Sequence, residues 1–306
     1  MNRQKNNSTR CYTQSSPSTY VRETLPIDIV NVIATDYHQT GFYENWCMQS
    51  FQSVHGFIYL NNRRRKGKGK IDRVSVIWNP STGQQIPLPK LGVRNCHSKS
   101  FLGYDPIEKQ FKVLCITSFK EHHVLRLGTG GEHLWRKIEC SFPHYPLKRT
   151  YAICTNGVLY YKNSKNTIVC FDVRYETFSF IEIKIYVNVL CLINYKGKLG
   201  LLVVFPNTGL AQLWVLDDTK KVEWSKHRFV FPDTTFEAIR LTDRGEIFGA
   251  SNRSTAPFYV SYYNMEKESV ERVKIKGIED KVSMHYPGPY EFFIFPNHVE
   301  NVMFLK

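Results

Sequence analysis

From about residue 46 onward, short apolar runs alternate with turn residues and recur in similar groups along the chain. One group has the runs AICTNGVLYY, TIVCFDV and TFSFIEI, and the next has VLCLINYKGKLGLLVVF, AQLWVLD and VEWSKHRFVF. Runs this short, rich in Val, Ile, Phe and Tyr and bounded by turn residues, predict β-strands. We therefore expect an all-β protein.

Glycines at corresponding turns define the length of the repeated group. Gly157, Gly197 and Gly245 are 40 and 48 residues apart, which suits a propeller blade of about four short strands. Five groups can be counted, and the terminal segments WCMQSFQSV and HVENVMFL would pair to complete one more. The pattern predicts a kelch-like β-propeller of about six blades, closed by its N- and C-terminal strands. Two β-sandwiches remain the alternative architecture.

Strands such as LGLLVVF and TIVCFDV are apolar at consecutive positions and do not alternate with polar residues. Consecutive apolar positions are expected where a sheet is covered on both faces. Stacked blades cover both faces of each inner sheet, so this pattern favours the propeller over the sandwiches.

The N-terminal region differs in texture from the rest of the chain. Residues 1–20 are rich in Asn, Ser, Thr and Gln and are expected to form a disordered tail. In the segment ETLPIDIVNVIA, Leu25, Ile29 and Val32 recur at helical spacing, and Pro26 suits a first helical turn. We predict a short amphipathic helix within residues 21–36, followed by a propeller domain over residues 46–306.

The chain is basic, with 41 Lys and Arg against 27 Asp and Glu, for a formal net charge of +14. Part of the excess lies in the run RRRKGKGK, which contributes six basic residues: Arg63, Arg64, Arg65, Lys66, Lys68 and Lys70. The run is typical of a nuclear-localisation signal or a phosphate-binding arm, or else of a solvated hairpin loop between two strands. No aromatic residues interleave the charges as in single-strand binders, so nucleic acid is not the expected partner.

Cysteine spacing and the N-terminal sequence bear on the cellular compartment. The eight cysteines form no CxxC pair, and several lie inside apolar runs, where they are expected to pack as small hydrophobes. The polar N-terminal segment lacks the apolar stretch of a signal peptide, and no segment has the ~20 apolar residues of a membrane span. We expect a cytoplasmic or nuclear protein without a membrane partner.

No pattern in the sequence matches a known catalytic, metal-binding or cofactor-binding motif. GxSxG, HExxH and GxxxxGK[ST] are missing, and the glycines of LGTGG read as a hairpin turn. His122 and His123 are adjacent and should face opposite sides of a strand, so they cannot share one metal ion. We predict no catalytic residue, no metal and no cofactor, and hence a protein that is not an enzyme.

Several motifs in order along the chain resemble plant F-box proteins with an F-box-associated domain. They include LPIDIV at residues 25–30, and then LGYDPIEKQFKVL, NGVLYY, IVCFDVRYETFSFI and EWSKH. The resemblance implies a substrate-recognition subunit of a cullin-RING (SCF-type) ubiquitin ligase, in which the F-box docks on a Skp-type adaptor held by a cullin and the propeller binds the target protein. By resemblance, Leu25, Pro26 and Ile29 would contact the adaptor. Only the opening of the F-box is readable, so we expect a truncated F-box with weak or absent adaptor binding.

Two other functions remain open at this stage. One is a basic nucleic-acid-associated protein or a free-standing protein-binding module, and the other is a decayed gene copy that has lost its link to the ligase. If the chain is a receptor, its specificity is expected in loops at the ends of the blades, over residues 61–70, 92–99, 117–123, 143–150 and 205–210. Trp78, Trp135, Trp214 and Trp224 are predicted to wedge adjacent blades together.

Overall fold

The computed structural model of the chain describes seventeen stretches of residues. They are 19–25, 31–32, 46–66, 70–92, 98–128, 134–147, 151–163, 167–183, 190–205, 210–219, 221–230, 238–241, 245–250, 259–275, 294–295, 301–303 and 305. The regular secondary structure within them consists of β-strands. These residues contain no helix that is long and apolar enough to cross a membrane. The prediction of an all-β protein is confirmed.

The strands follow one another along the chain in groups of four. Two strands precede the groups: β1 Thr19–Leu25 and β2 Asn31–Val32. The first three blades are formed by β3 Trp46–Val54, β4 Phe57–Lys66, β5 Lys70–Trp78 and β6 Gln85–Pro87; by β7 Ser98–Asp105, β8 Gln110–Thr117, β9 His122–Leu127 and β10 Arg136–Ile138; and by β11 Ile153–Thr155, β12 Val158–Lys162, β13 Thr167–Asp172 and β14 Phe178–Glu182. The last two are formed by β15 Leu190–Tyr195, β16 Lys198–Val204, β17 Leu210–Asp218 and β18 Glu223–Val230; and by β19 Ala238–Leu241, β20 Ile247–Ala250, β21 Tyr259–Asn264 and β22 Ser269–Ile275. A last short strand, β23 Ile294–Phe295, pairs with β2.

Each blade is an antiparallel meander of neighbouring strands. The first strand of one blade packs beside the first strand of the next, through β3, β7, β11, β15 and β19 in turn. The first strands therefore line the middle of the ring, and the last strands of the blades lie toward its outside. This is the propeller arrangement that the repeat predicts.

The described residues form five blades, so the expectation of about six is wrong. The segment WCMQSFQSV is β3, which belongs to the first blade. Residues 301–303 and 305, the described part of the C-terminal segment, form no strand there. Instead the Asn79 side chain donates hydrogen bonds to the carbonyls of Asn301 and Met303, at 2.8 and 3.0 Å, and the Gln84 side chain bonds both backbone groups of Leu305. Side-chain amides thus take the place of strand partners, which removes the need for another blade.

The predicted N-terminal helix is also wrong for the residues that the structure describes. Thr19–Leu25 is a strand that adds in parallel to β22, at the outer edge of the fifth blade, and Asn31–Val32 pairs with β23. The segment between them, residues 26–30, lies outside the described residues. The last strand of a blade has an edge that can accept another strand. Pairing of Thr19–Leu25 with the edge of β22 outweighs a helical spacing that involves only a few apolar residues.

Tight turns join the first two strands of most blades. Gly157, Gly197 and Gly245, which define the repeat in sequence, all have positive φ, between 79° and 83°. The residue before Gly157 and before Gly197 also has positive φ, as in a type I′ turn. His55 and Gly56 form the same kind of turn in the first blade. The turns predicted from the repeat are therefore confirmed.

Four apolar clusters fill the spaces between successive blades. Phe57, Leu102 and Phe111 belong to the cluster between the first and second blades, and the other three clusters follow around the ring. All eight residues of β8 are buried, because neighbouring blades cover both of its faces. This arrangement explains the consecutive apolar positions in the sequence.

Candidate functional site

An apolar groove lies between the third and fourth blades. It is formed by β14, the last strand of the third blade, and by β16, β17 and the start of β18 in the fourth. Its volume is about 520 Å³. Its apolar lining includes Phe180, Ile181, Ile183, Trp214, Val222 and Trp224, and its polar lining is Glu182 and Lys221.

Two tryptophans on adjacent strands form one wall of the groove. Trp214 lies in β17 and Trp224 in β18, where Trp224 is paired with Leu216. Both indoles are partly buried against the cluster between the third and fourth blades. The predicted role of these tryptophans in packing neighbouring blades is consistent with this position, and their remaining surface faces the groove.

The indole of Trp214 has two features that matter for binding. Its Nε1 atom is buried and has no hydrogen-bond partner among the described residues, although buried polar groups normally have one. The ammonium of Lys226 lies 4.3 Å from the centre of the Trp214 ring, in a cation–π contact that helps to fix the ring. The groove thus offers a fixed aromatic surface.

Size and lining decide what the groove can do chemically. The volume of the groove falls in the range of small-ligand sites. At protein–protein interfaces, large aromatic side chains in such concave sites often supply most of the binding energy. Among the described residues, Glu182 and Lys221 are the ionisable ones that line it. The arrangement suits recognition of an apolar side chain.

The basic run lies at one end of the hairpin formed by β4 and β5. Arg63 is paired with Arg73, and Lys66 with Lys70, beyond the part of β5 that pairs with β6. Lys68 lies outside the described residues. The structure thus places most of the run on two paired strands, and its role in binding stays a prediction.

The residues assigned to the adaptor by resemblance are only partly described. Leu25 is the last residue of β1 and is paired with Ile275 of β22. Pro26 and Ile29 lie outside the described residues. Contact of these three residues with an adaptor stays a prediction.

The loops predicted to carry specificity contribute none of their described residues to the lining of the groove. Residues 61–66 and 70 belong to the β4–β5 hairpin, and residues 117–121 form the turn before β9, where the Phe119 side chain is 65% exposed. Only parts of 92–99, 143–150 and 205–210 are described. Their role in partner binding stays a prediction.

Sequence patterns missed two groups of residues that the fold brings together. The groove combines residues from strands that are distant in sequence, so no local sequence motif predicts it. A second group, His122, Cys140 and His144, meets at the boundary between the second and third blades. The spacing of Cys140 and His144, with three residues between them, was its only local signal.

Comparison with known proteins identifies relatives over nearly the whole chain. A family model described as the F-box associated beta propeller domain matches residues 2–299. A putative F-box protein of Arabidopsis thaliana is 73% identical over 274 residues, which cover 90% of this chain and 73% of that protein. A second putative F-box protein of Arabidopsis thaliana is 50% identical over 90% of this chain and 60% of its own length. The F-box protein DOR, also from Arabidopsis thaliana, is 41% identical over 81% of this chain and 68% of its own length.

Proposed function

The chain belongs to the F-box-associated β-propeller family, and from this premise we propose that it recognises a target protein for a cullin-RING (SCF-type) ubiquitin ligase. The target would bind the propeller, while ubiquitin transfer would be carried out by the ligase partners. In this role the chain itself is not an enzyme and needs no cofactor. The proposal includes a Skp-type adaptor and a cullin as partners, and a cytoplasmic or nuclear location.

The observation that carries the proposal is the groove between the third and fourth blades in a propeller of this family. Trp214 and Trp224 offer apolar surface, together with Phe180 and Ile183. A peptide segment with a large apolar side chain fits this surface. Burial of such a side chain contributes about 1.5 to 3 kcal/mol.

Lys221 and Glu182 lie beside the apolar lining and give the groove polar borders. Polar borders around an apolar centre are typical of protein–protein interfaces. We therefore place the target-binding surface at this groove and treat the predicted loops as additional contacts.

The first experiment tests target recognition in plant cells. The wild-type chain and a Trp224→Ala variant are expressed at equal levels, and ubiquitin-modified peptides are quantified by mass spectrometry with and without a cullin-ligase inhibitor. Trp135→Ala is the matched control, because Trp135 lies in another part of the ring and its indole donates to the carbonyl of Pro89 at 2.8 Å. We expect a set of proteins whose ubiquitin modification is seen with the wild-type chain and with Trp135→Ala but is lost with Trp224→Ala.

Adaptor binding is tested in a separate experiment. Purified full-length chain is mixed with a Skp-type adaptor, and an Ile29→Asp variant serves as the control that should weaken any F-box contact. Adaptor binding that the variant abolishes supports the ligase role. If no adaptor binds and no ubiquitination depends on Trp224, the ligase proposal is wrong.

A further inference from the structure

Three side chains with metal-ligand atoms meet at the boundary between the second and third blades. His122 lies at the start of β9, and Cys140 and His144 lie in the segment that connects β10 to β11. One ligand atom from each of the three lies within 4.8 Å of the other two, and Cys140 Sγ is 3.8 Å from His144 Nδ1. Bond lengths of about 2.3 Å to sulfur and 2.0 Å to nitrogen place two ligands of one tetrahedral ion roughly 3.5 Å apart. The separation of Cys140 and His144 is already close to that value.

The ring of His122 has a buried nitrogen atom without a partner. Its side chain is 2% exposed, and its Nε2 atom has no hydrogen-bond partner among the described residues. The ring makes a hydrogen bond to the backbone of Lys120, so the remaining nitrogen is the unsatisfied one. A buried nitrogen without a partner is costly, and coordination of a metal ion would satisfy it.

Both ring nitrogens of His144 have partners. Nε2 lies 2.6 Å from the Tyr161 hydroxyl, and Nδ1 lies 2.9 Å from the carbonyl of Phe142, to which Cys140 Sγ also donates at 3.3 Å. If Nδ1 binds a metal, the ring gives up its bond to the Phe142 carbonyl, and the proton moves to Nε2 and is donated to Tyr161. Such a hydrogen bond from the second ring nitrogen fixes the ring of a metal-bound histidine.

Apolar groups surround both imidazoles. Phe178 and Phe180 pack against these rings and add no charge. Burial raises the pKa of the Cys140 thiol, so metal binding would release its proton.

The donor set selects the class of metal. One thiolate and two imidazoles suit Zn²⁺ and other borderline or soft ions, whereas Mg²⁺ and Ca²⁺ prefer oxygen ligands. Cys140 is only half-buried, so an ion can reach the cluster from solvent. From this geometry we propose that His122, Cys140 and His144 bind a Zn²⁺ ion, with a fourth position left for water.

The bound ion would join two blades. His122 belongs to the second blade, whereas the segment with Cys140 and His144 continues to Pro146 and Leu147, which pair with Asn163 and Lys162 at the end of β12 in the third blade. Zn²⁺ would therefore link β9 to the third blade through this segment. Binding only the folded ring, it would raise the temperature of unfolding.

Cobalt provides the direct test, because Co²⁺ takes zinc sites and a thiolate–cobalt bond absorbs in the near ultraviolet. The purified full-length chain, stripped of metal and reduced, is titrated first with Co²⁺ and then with Zn²⁺. We expect one Co²⁺ per chain with a thiolate band, displacement by one equivalent of Zn²⁺, and a rise in unfolding temperature. Cys140→Ser should lose the band, and His122→Gln should lose tight binding. Tyr161→Phe should bind about 10- to 100-fold more weakly.

Two matched controls separate this site from general metal binding. His123→Gln changes a buried histidine next to His122 on the same strand, and Cys115→Ser changes a buried cysteine of β8. Both should keep the band and the stoichiometry, and circular dichroism checks that every variant stays folded. Absence of a thiolate band in the folded wild-type chain, or a band that persists in Cys140→Ser, would overturn the site.

Discussion

Asp105 and Arg174 form a two-bonded ion pair across the boundary between the second and third blades. Arg174 Nε lies 2.9 Å from Asp105 Oδ2, and a terminal guanidinium nitrogen lies 3.1 Å from Oδ1. The Asp105 side chain is 3% exposed and ends β7, whereas Arg174 lies in the turn after β13. Beside them Lys112 pairs with Glu176 at 2.8 Å, which adds a second link between the same blades. Charge pairing therefore complements apolar packing at this boundary.

Acid should weaken this boundary. Burial alone would raise the pKa of Asp105, but hydrogen bonds from Arg174 and from the backbone of Ile107 and Glu108 outweigh it and hold the pKa below its usual value of 3.8. A carboxylate with a lowered pKa in the folded state stabilises above its unfolded pKa, and this stability is lost as the pH falls through the lower, folded value. We expect the free energy of unfolding, measured in urea, to fall below about pH 4, and to fall less steeply in Asp105→Asn.

Asp217→Asn is the control for this prediction. The pKa of Asp217 is also lowered, first by its hydrogen bond to Lys198, but both side chains of that pair are largely exposed. Solvent screens such pairs, so removing this one should change the acid dependence little. An equal pH dependence of the free energy of unfolding in the two variants would show that the Asp105–Arg174 pair contributes no more than an exposed pair.

Gly103 should tolerate no side chain. A Cβ atom at this position would lie 2.7 Å from Cγ2 of Val173, a fully buried residue of the third blade. Gly103→Ala should therefore lower the free energy of unfolding by about 1 to 3 kcal/mol, as overpacking does. Urea unfolding at neutral pH measures the change.

A second substitution distinguishes this clash from a general loss of packing. Val173→Ala removes both methyl groups that the new Cβ would meet. The double variant should be more stable than the sum of the two single effects predicts, because the two residues are in contact. Simple additivity would contradict the proposed contact.

The turn at Gly157 combines a backbone constraint with a close contact. Its φ is +79°, and a Cβ there would lie 3.2 Å from Cδ of Pro106 in the second blade. Gly83 has a similar φ of +74° but open space around it. Ala at Gly83 should cost about 1 kcal/mol for the left-handed backbone, and Ala at Gly157 should cost more. Thermal unfolding of both variants compares the two costs, and a larger loss at Gly83 would contradict this assignment.

The basic hairpin gives a test of the nucleic-acid alternative. Under the ligase proposal, replacing Arg63, Arg64, Arg65, Lys66, Lys68 and Lys70 by Gln should leave binding of a single-stranded RNA equally weak at physiological salt. Fluorescence anisotropy over a salt series measures this. A steep loss of wild-type affinity with salt, abolished in the variant, would instead favour nucleic-acid binding.

The repeat was predictable because it depends on local signals. Glycines with positive φ recur where two strands must turn sharply, and His55-Gly56 follows the same rule in the first blade. Consecutive apolar positions likewise followed from burial on both faces. The number of blades was wrong because it depends on what the two ends of the chain pair with, and strand pairing between residues so far apart leaves no local signal.

The candidate sites were less predictable for the same reason. Trp214 was expected to pack between blades, but the groove that it lines also needs residues of β14 from the neighbouring blade. His122 was considered as a ligand only beside His123, its neighbour in sequence. The fold instead brings it to Cys140 and His144, which belong to the segment that leads into the next blade.

The exchange of chain ends has a consequence for the order of folding. β1 adds to the edge of the fifth blade, and the backbone near Asn301 bonds side chains of the first blade, so each of these segments needs a partner that is distant in sequence. During synthesis the middle blades can form as they emerge, but β1 stays unpaired until β22 has been made, and Asn79 until Asn301 has been made. Contacts of such large sequence separation form slowly, so these pairings should be the last and slowest step of folding, with the edge of β22 and the side chains of Asn79 and Gln84 exposed to chaperones until then.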